Sequence, residues 1–453
     1  MWHLPIQYLL IATVMLIGRV DAAAQPYDLE IITPHNEHIQ VEFERAFVRH
    51  IGRPLKIRWI KKGTGQIIQQ LDAQERARPG ESFGLDVFFG GGVPDHDLAA
   101  SKGYLEAARI PEEILAGIPR EIAGVANYDE RRLWFGSALS AFGVLMNRRG
   151  LANQGLPEIQ RWEDLASPQM YSWVVVADPR KSASVRVSYE LILQQYGWER
   201  GWTLLMQMAA NSRLITDSSS AIPNEIATGN VLAGPCIDFY AYSRVAEAGR
   251  DVLAYVNPIG GSAITPDPIS MLRKPPHRQL AEQFITFVLG PEGQALWVLP
   301  PGAPGGPVEH ALYRLPVRPD VCAKYADQMA VKDPYKEAEA GTFRRMNDDL
   351  QRRRNKLLAE LMGAALVDLH DDLRSAWRAL IDSGMNPAAL AEWSKPPFDE
   401  DAGLRLAEQL EAGDLAARRL TREWTRQFKQ KYARVQELAR QRAVPEARDP
   451  AAR

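Results

Sequence analysis

The first polar residues that could do chemistry lie in the turn Thr33-Pro34-His35-Asn36-Glu37, between a short apolar run and a helical pattern. A helix amino terminus has unpaired backbone N–H groups and the positive end of the helix dipole, so it favours an anion. His35 and Asn36 would add hydrogen-bond donors. The alternative is that Thr33 or Asn36 only caps the helix and that His35 is solvated.

Two glycine-rich turns, Gly63-Thr64-Gly65 and Gly90-Gly91-Gly92, follow predicted strands. Glycine has no Cβ, so these turns would let the backbone approach a ligand closely, and Thr64 would add a hydroxyl. The alternative is a pair of tight strand-to-helix turns. Neither turn has the glycine spacing of a Walker or dinucleotide motif, so nucleotide hydrolysis is not supported.

Hydroxyl groups gather in two later stretches, 178–184 and 216–221. Each stretch precedes a predicted helix, and hydroxyls with free amides at a helix start make a good oxyanion receptor. The first stretch also carries two cations, Arg180 and Lys181, that could neutralise a phosphate or carboxylate. A serine-rich cap or a flexible loop is the alternative. The candidate hydroxyls are those of Ser182, Ser184, Ser218, Ser219 and Ser220.

A carboxylate and two phenols follow the apolar run 231–237, namely Asp238, Tyr240 and Tyr242. If the strand continued, alternation would place all three on one side, where they could bind Fe(III) or hydrogen-bond a sugar hydroxyl. In the alternative, Asp238 begins a helix and Tyr240 packs between lobes. Asp267 is a further candidate ligand-binding residue.

Motifs for catalysis are missing from the sequence. It contains no G-x-S-x-G, no H-E-x-x-H and no cysteine with convincing histidine support. His35 and His38 are three residues apart, but the sequence suggests no third ligand for a metal. We therefore expect a binding protein and not an enzyme, with no catalytic residue, no bound metal and no cofactor.

The composition of the sequence excludes several further classes of protein. The 453 residues include 54 Lys and Arg and 56 Asp and Glu, so the net charge of −2 provides no basic field for nucleic acid. Two cysteines, Cys236 and Cys322, are too few for a disulfide scaffold or a cysteine metal site, and whether they pair is open. The length predicts two lobes or more.

The amino-terminal residues resemble a signal peptide. Residues 4–17 are largely apolar, and Ala22-Ala23-Ala24 supplies the small residues that precede cleavage. We predict cleavage before Gln25 and export to the periplasm. The alternative, a membrane anchor, would need about 20 apolar residues.

The elements that must position these residues alternate between strand and helix, which predicts an α/β protein with parallel, doubly wound sheets. We expect two lobes joined by crossing strands, with the carboxyl ends of the strands facing one cleft. The predicted strands are 29–33, 55–60, 85–89, 139–146, 173–177, 231–239, 251–256 and 269–272. The predicted helices lie near 39–51, 67–77, 97–103, 187–195, 198–209, 222–228 and 280–289.

The run 298–307 contains seven prolines and glycines and is predicted to mark the edge of the two-lobe unit. Apolar residues at helical spacing follow from Phe343, and a further helix is predicted over 404–438. We expect this helical extension to dock on a lobe. The predicted divisions are 1–24 leader, 25–135 first lobe, 136–257 second lobe, 258–330 return to the first lobe, 331–442 extension and 443–453 disordered tail.

Four stretches resemble the bacterial periplasmic solute-binding proteins of ABC transporters, in the ferric-ion and sugar-phosphate or phosphonate branch of the type II group. The resemblance implies a hinged two-lobe α/β fold, a small-molecule solute and an inner-membrane ABC permease as partner. It covers roughly residues 27–325 and not the extension. The stretches are LEIITPHNEHIQVEFERAF (29–47), LDVFFGGG (85–92), TDSSSAIPNEIATGN (216–230) and AEQFITFVLGPEGQALW (281–297).

The resemblance also separates two kinds of ligand. Ferric-binding members use a histidine, an acid after the third strand and two adjacent tyrosines, and only His35 and Tyr240 match here. Anion-binding members use a T-P-H or S-P-H turn, hydroxyls at a serine-rich helix start and an aspartate on the crossing strand. This set is matched better, by Thr33, His35, Ser218 to Ser220 and Asp238. We expect a monomeric receptor for a small oxyanion, either an organophosphate, a phosphonate or a carboxylate. The alternatives are an Fe(III) receptor and a sensor-input protein for a membrane signalling partner.

Overall fold

The computed structural model describes residues 27–411 and 413–441. The predicted signal peptide and the predicted tail 443–453 lie outside these residues. None of the helices within the described ranges is long and apolar enough to cross a membrane.

The strands are β1 (Leu29–Thr33), β2 (Ile57–Lys61), β3 (Val87–Phe89), β4 (Leu105–Glu106), β5 (Glu121–Ile122), β6 (Val125–Ala126), β7 (Phe135–Asn147), β8 (Val174–Ala177), β9 (Ser212–Thr216), β10 (Ala233–Ile237), β11 (Leu253–Val256) and β12 (Ile264–Leu272).

The helices are interspersed with these strands up to β12 and then follow one another without a further strand. They are α1 (Glu37–Ile51), α2 (Thr64–Ala77), α3 (Val93–Ser101), α4 (Glu112–Leu115), α5 (Arg148–Asn153), α6 (Trp162–Ala166), α7 (Ala183–Tyr196), α8 (Trp198–Asn211), α9 (Ile222–Ala227), α10 (Asp238–Ala248), α11 (Arg278–Leu289), α12 (Pro291–Val298), α13 (Pro319–Lys324), α14 (Pro334–Glu339), α15 (Asp348–Met362), α16 (His370–Asp382), α17 (Pro387–Trp393), α18 (Glu400–Glu411) and α19 (Asp414–Arg440).

One long strand, β7, joins the two lobes. Its first half, from Phe135 to Ala141, pairs with β12, and its second half, from Phe142 to Met146, pairs with β10. The first lobe has the strand order β2-β1-β3-β12, and the second has β7-β10-β8-β9. Within each lobe the strands that alternate with helices are parallel, so the predicted two-lobe α/β fold is confirmed.

The strand register shows where the cleft lies. In the second lobe, β10 ends at Ile237, opposite Phe142 in the middle of β7. In the first lobe, β3 ends at Phe89, opposite Ile269 of β12, and β12 begins beside the middle of β7. The carboxyl ends of the parallel strands in both lobes therefore face the same crossing region. This is the arrangement in which α/β proteins bind ligands.

The first lobe is held by an aromatic core beneath α1. Phe43 and Phe47 are fully buried on the inner face of this helix. Phe43 lies 4.6 Å from Trp297 of α12, and Phe47 lies 5.1 Å from Phe284 of α11, measured between ring centroids. The predicted helix at 280–289 does return to the first lobe, because its apolar face packs against α1 and β12.

The helical extension docks on the second lobe, as expected. Arg354 of α15 is buried and forms two hydrogen bonds with Glu190 of α7, at 2.7 and 2.8 Å. The Trp377 indole of α16 donates to the Asn211 side chain at the end of α8. These buried polar contacts fix the extension to α7 and α8.

Three of the differences between the predicted and the observed elements have a clear local cause. The strand predicted to reach residue 239 ends at Ile237, because α10 begins at Asp238. The helix predicted over 97–103 begins at Val93, since Pro94 suits a first helical turn. The single helix predicted over 404–438 is two helices, α18 and α19, with Gly413 between them at a φ of 143°.

The proline- and glycine-rich run 298–307 is not the edge of the two-lobe unit. After it, the chain returns to the crossing region, where the Leu139 N–H donates to the Leu315 carbonyl at 2.7 Å. Leu315 and Val317 are buried in the main core. The structure also answers the open question about the cysteines, because Cys236 and Cys322 are both free and buried.

Candidate functional site

A buried arginine lies where the two lobes meet. Arg314 pairs with Asp267 of β12 and donates to the Ser140 hydroxyl of β7 at 3.0 Å. Its guanidinium carbon is 3.7 Å from the ring centroid of Phe239 on α10. The arginine therefore joins the two crossing strands to the start of a second-lobe helix. Its Nε has no hydrogen-bond partner among the described residues.

Two carboxyl groups lie near this cation, and burial raises the pKa of both. Burial raises the pKa of Asp267, although Arg314 and the Ser140 hydroxyl favour the charged form. Burial raises the pKa of Asp238 to about 8, against the opposing charge of Arg314. Burial therefore favours the protonated carboxyl of Asp238 at neutral pH, and this form can donate a hydrogen bond. One of its oxygens accepts from the Phe239 N–H at 2.7 Å, and the other has no partner within the described chain.

His35 lies on the first-lobe side and is buried, not solvated. Its ring packs against Phe89 at 4.7 Å and against the backbone of Gly90, where an added Cβ would lie 2.3 Å from the histidine Nε2. Burial and then the charge of Arg314 hold its pKa well below the usual range, so the imidazole is neutral. No described group hydrogen-bonds its Nε2.

The other first-lobe candidates mostly serve the local structure. The Thr33 hydroxyl donates to the Phe89 carbonyl at 2.6 Å and accepts from the His35 N–H at 3.0 Å. The Asn36 side chain caps α1 by accepting from the Ile39 N–H. Glu37 is exposed in the first turn of the same helix.

The glycine turns bring two loops of the first lobe together. Gly91 has a φ of 104°, and a Cβ there would lie 2.9 Å from the Thr64 methyl group. Thr64 is the first residue of α2 and is half-buried, and Gly65 beside it is exposed. Gly92 precedes α3 as its amino-terminal cap. The close contact between these loops requires a residue without a side chain at Gly91.

The candidate serines gather at the carboxyl ends of β8 and β9. Ser182 is buried, and its hydroxyl has no partner among the residues described. The Ser184 hydroxyl donates to that of Ser219 at 2.7 Å. Ser218 and Ser220 bond to each other at 2.7 Å and are exposed. The structure therefore separates an inner group of serines from an outer pair.

Tyr240 is half-buried beside this site and packs on Phe239, with ring centroids 4.3 Å apart. Burial raises the pKa of its phenol, although Arg314 opposes the shift. This environment favours the neutral phenol over the phenolate. Among the described residues, no group of three or more His, Cys, Asp or Glu side chains could hold a metal.

The two cations that we expected to neutralise an anion pair with acidic side chains of the protein instead. Arg180 pairs with Asp178 and with Asp368 of the extension, both at 2.9 Å, and Lys181 pairs with Asp217 at 2.7 Å. Arg314 supplies the cation of the crossing region instead, and sequence reasoning missed it. The available signal was one arginine within the apolar stretch LYRLPV (312–317), since a buried cation needs a partner.

Residues 82–316, just over half of the chain, match the model of a family described as bacterial extracellular solute-binding protein. One relative is the phosphoglycerate transport regulatory protein PgtC of Salmonella typhimurium, which is 32% identical over 159 residues. That alignment covers 35% of this chain and only 39% of the Salmonella protein.

Two solved structures show similar folds at low sequence identity. The periplasmic binding protein AfuA of Actinobacillus pleuropneumoniae, with fructose-6-phosphate bound, has a TM-score of 0.53 and is 20% identical; the match covers 73% of this chain and 97% of AfuA. The apo ferric ion-binding protein A of Pasteurella haemolytica has a TM-score of 0.52 and is 15% identical, over 69% of this chain and 95% of its own.

Proposed function

The chain belongs to the bacterial extracellular solute-binding protein family, and from this membership we propose that it captures a small oxyanion between its two lobes. It is exported to the periplasm, acts as a monomer and delivers its solute to an inner-membrane ABC permease. The solute is a phosphorylated or carboxylated polar metabolite. Lobe closure is a hinge motion about the crossing strands, and the solute stabilises the closed form.

The observation that carries this proposal is the buried cation Arg314 among polar atoms that lack partners. Buried polar groups are nearly always hydrogen-bonded, so unpaired ones suggest a ligand that completes them. Here the unpaired atoms are the Nε of Arg314, the Nε2 of His35 and one oxygen of Asp238, and the Ser182 hydroxyl beyond the carboxyl end of β8 is also unpaired. A buried guanidinium with an unpaired N–H suits an oxyanion.

A phosphorylated hydroxy acid is the specific class that we favour. It would offer an anion to Arg314 and hydroxyl groups to the carboxyl groups of Asp238 and Asp267. The name of the relative from Salmonella typhimurium, a phosphoglycerate transport regulatory protein, supports this class. The inner serines, Ser182, Ser184 and Ser219, would bind the remaining phosphate oxygens.

A thermal-shift screen with 3-phosphoglycerate, inorganic phosphate, citrate and Fe(III) tests the proposal, followed by mass spectrometry of any molecule that copurifies. A specific ligand raises the unfolding midpoint by mass action. We expect 3-phosphoglycerate to raise the midpoint more than Fe(III) does. The substitution Arg314→Gln should weaken binding by about 10- to 100-fold, because hydrogen bonds to a charged group contribute roughly 1.5–3 kcal/mol.

A serine variant separates the hydroxyl contribution from that of the cation. Replacing Ser182, Ser184 and Ser219 together by alanine should weaken the same ligand, whereas replacing the exposed pair Ser218 and Ser220 should have little effect. If both serine variants and Arg314→Gln bind every oxyanion as tightly as the wild type, the site assignment is wrong.

The Fe(III) alternative has a weaker set of ligands. Fe(III) prefers several anionic oxygen ligands. The environment of Tyr240 favours its neutral phenol, and His35 is buried beside the cationic Arg314. A visible phenolate-to-iron absorption band, with no midpoint shift for any oxyanion, would replace the oxyanion proposal by this alternative.

A further inference from the structure

The last helix of the extension carries a concentrated positive charge on its outer face. The 27 residues of α19 contain eight Lys and Arg but three Asp and Glu, whereas the whole chain has a net charge of −2. The buried face of the helix consists of apolar residues such as Trp424, Phe428 and Val435. Most of the cations therefore point away from the protein core, and Lys431, which contacts the Met206 side chain, is an exception.

Six of these cations lie along one side of the helix. A rotation of 100° per residue places them within about a third of the circumference, which makes a nearly straight stripe. All six are exposed. We call this set the α19 stripe: Arg418, Arg419, Arg422, Arg426, Lys429 and Arg440.

Few acidic side chains neutralise the positive charges of the α19 stripe. Arg426 pairs with Glu423 at 2.7 Å. The other five form no ion pair with an acidic side chain that the structure describes. Leu415, at the start of the same side, is 85% exposed. A solvated helix face usually alternates charges of both signs, so this one-sided array is suited to an anionic surface.

A lipid surface fits the stripe better than an acidic protein does. A stable protein interface needs a desolvated centre with large apolar or aromatic anchors, and the stripe offers only one exposed leucine. Attraction to anionic phospholipid needs only cations close to the membrane plane, with an affinity gain of about fivefold for each one. Four of the stripe residues, Arg418, Arg422, Arg426 and Lys429, span about 17 Å of helix, which can lie flat on a membrane.

We propose that the α19 stripe docks the extension on an anionic phospholipid membrane. The contact is peripheral and electrostatic, and it holds the receptor near the membrane without inserting a helix. It does not depend on which solute the cleft binds.

Vesicle co-sedimentation tests this docking. The chain from Gln25 onward contains every described residue. It is mixed with phosphatidylcholine vesicles that contain about 30% phosphatidylglycerol or none. We expect binding to the anionic vesicles alone, and loss of that binding as salt rises from about 0.05 to 0.5 M. The quadruple variant R418Q/R422Q/R426Q/K429Q should bind about 600-fold more weakly.

A matched control removes four exposed cations from other helices of the extension. The variant R352Q/R353Q/R378Q/R405Q has the same net charge as the stripe variant and should keep wild-type vesicle binding. Both variants should retain the wild-type thermal midpoint and the midpoint shift given by the solute. The vesicle result can therefore be interpreted even if the solute screen finds no ligand.

Three outcomes overturn the proposal. One is the absence of binding to anionic vesicles at low salt, and another is an equal loss in the stripe and control variants. The third is a stripe variant that keeps vesicle binding but loses a protein that crosslinks to the wild type, which would identify an acidic protein surface as the partner.

Discussion

Asp238 and Asp267 lie near the same guanidinium, yet only Asp267 pairs with it directly. Burial raises the pKa of Asp238 to about 8, whereas an aspartate in the unfolded chain has a pKa of about 4. The folded protein thus binds a proton here that the unfolded chain releases. This contribution to stability is complete below about pH 4 and is lost as the pH rises to about 8.

We therefore expect Asp238→Asn to become progressively more stable than the wild type between about pH 5 and 8, by up to about 1.4 kcal/mol per pH unit. Above about pH 8 the difference should level off, because Asp238 is then ionised in both states. Urea unfolding of both proteins at several pH values measures this difference. A difference that does not change with pH would show that Asp238 is already ionised at neutral pH.

Gly90 provides a second prediction at the residue scale. Its φ is 89°, and a Cβ there would lie 2.3 Å from the ring of the buried His35. Gly90→Ala should therefore add a steric cost of about 1–3 kcal/mol to the cost of a positive φ. Gly103→Ala is the control, because Gly103 has a φ of 72° and no atom within 4 Å of its added Cβ. Equal losses of unfolding free energy in the two variants would contradict the predicted contact.

At the scale of elements, the contact between α15 and α7 depends on one buried ion pair. Both side chains of the pair, Arg354 and Glu190, are 1% exposed. Arg354→Ala leaves a buried carboxylate without its partner, so we expect a loss of about 3–5 kcal/mol in the free energy of unfolding. Arg352→Ala, which removes an exposed pair with Asp349, should cost no more than about 1 kcal/mol.

The double variant Arg354→Met, Glu190→Met tests the cause of that loss. Replacing both buried charges by apolar side chains often restores stability, because no unpaired charge remains. Urea unfolding should show the double variant to be more stable than Arg354→Ala. If it is less stable, hydrogen bonding and not the unpaired charge would explain the effect of the single substitution.

The same elements show how far the sequence could be interpreted. The alternation of strands and helices predicted both lobes. The spacing of apolar residues that identifies a strand or a helix is visible within a short stretch of sequence. Asp238 was ambiguous, because a polar residue after an apolar run can continue a strand or begin a helix, and contacts far along the chain decide between them. Arg314 was missed because its partners, Ser140 and Asp267, are distant in sequence. The run 298–307 looked like a boundary, but it is a loop that returns the chain to the cleft.

At the scale of the whole molecule, the segment 341–348 of the extension, which leads into α15, runs beside the crossing strands. The Arg344 N–H donates to the Ser262 carbonyl at 2.9 Å, just before β12. Arg345 packs against Gly124 of the first lobe, and its Cδ lies 3.2 Å from where a Cβ would stand. The Asn347 N–H donates to Gln194 of the second lobe at 2.8 Å. The segment therefore contacts both lobes and the strands between them.

Met346 is the apolar centre of this contact and provides a test of coupling between the extension and the cleft. It is buried in a small cluster with Phe142 of β7, Ala263 before β12 and Leu191 of α7. Met346→Ala would leave a cavity costing about 2–5 kcal/mol and would loosen the crossing strands. Fewer molecules would then hold the lobes in a binding-competent arrangement, so the apparent affinity for the solute should fall.

Leu373→Ala is the matched control for this test. Leu373 is fully buried in α16 of the extension and is not a member of the Met346 cluster, so its loss should lower stability to a similar degree without changing solute affinity. Calorimetric titration of both variants with the solute found by the screen, at a temperature where each remains folded, measures the difference. Equal affinities in the two variants would mean that the extension does not act on lobe closure. A lower affinity in Met346→Ala alone would mean that this segment helps to set the equilibrium between the open and closed receptor, although it touches no solute.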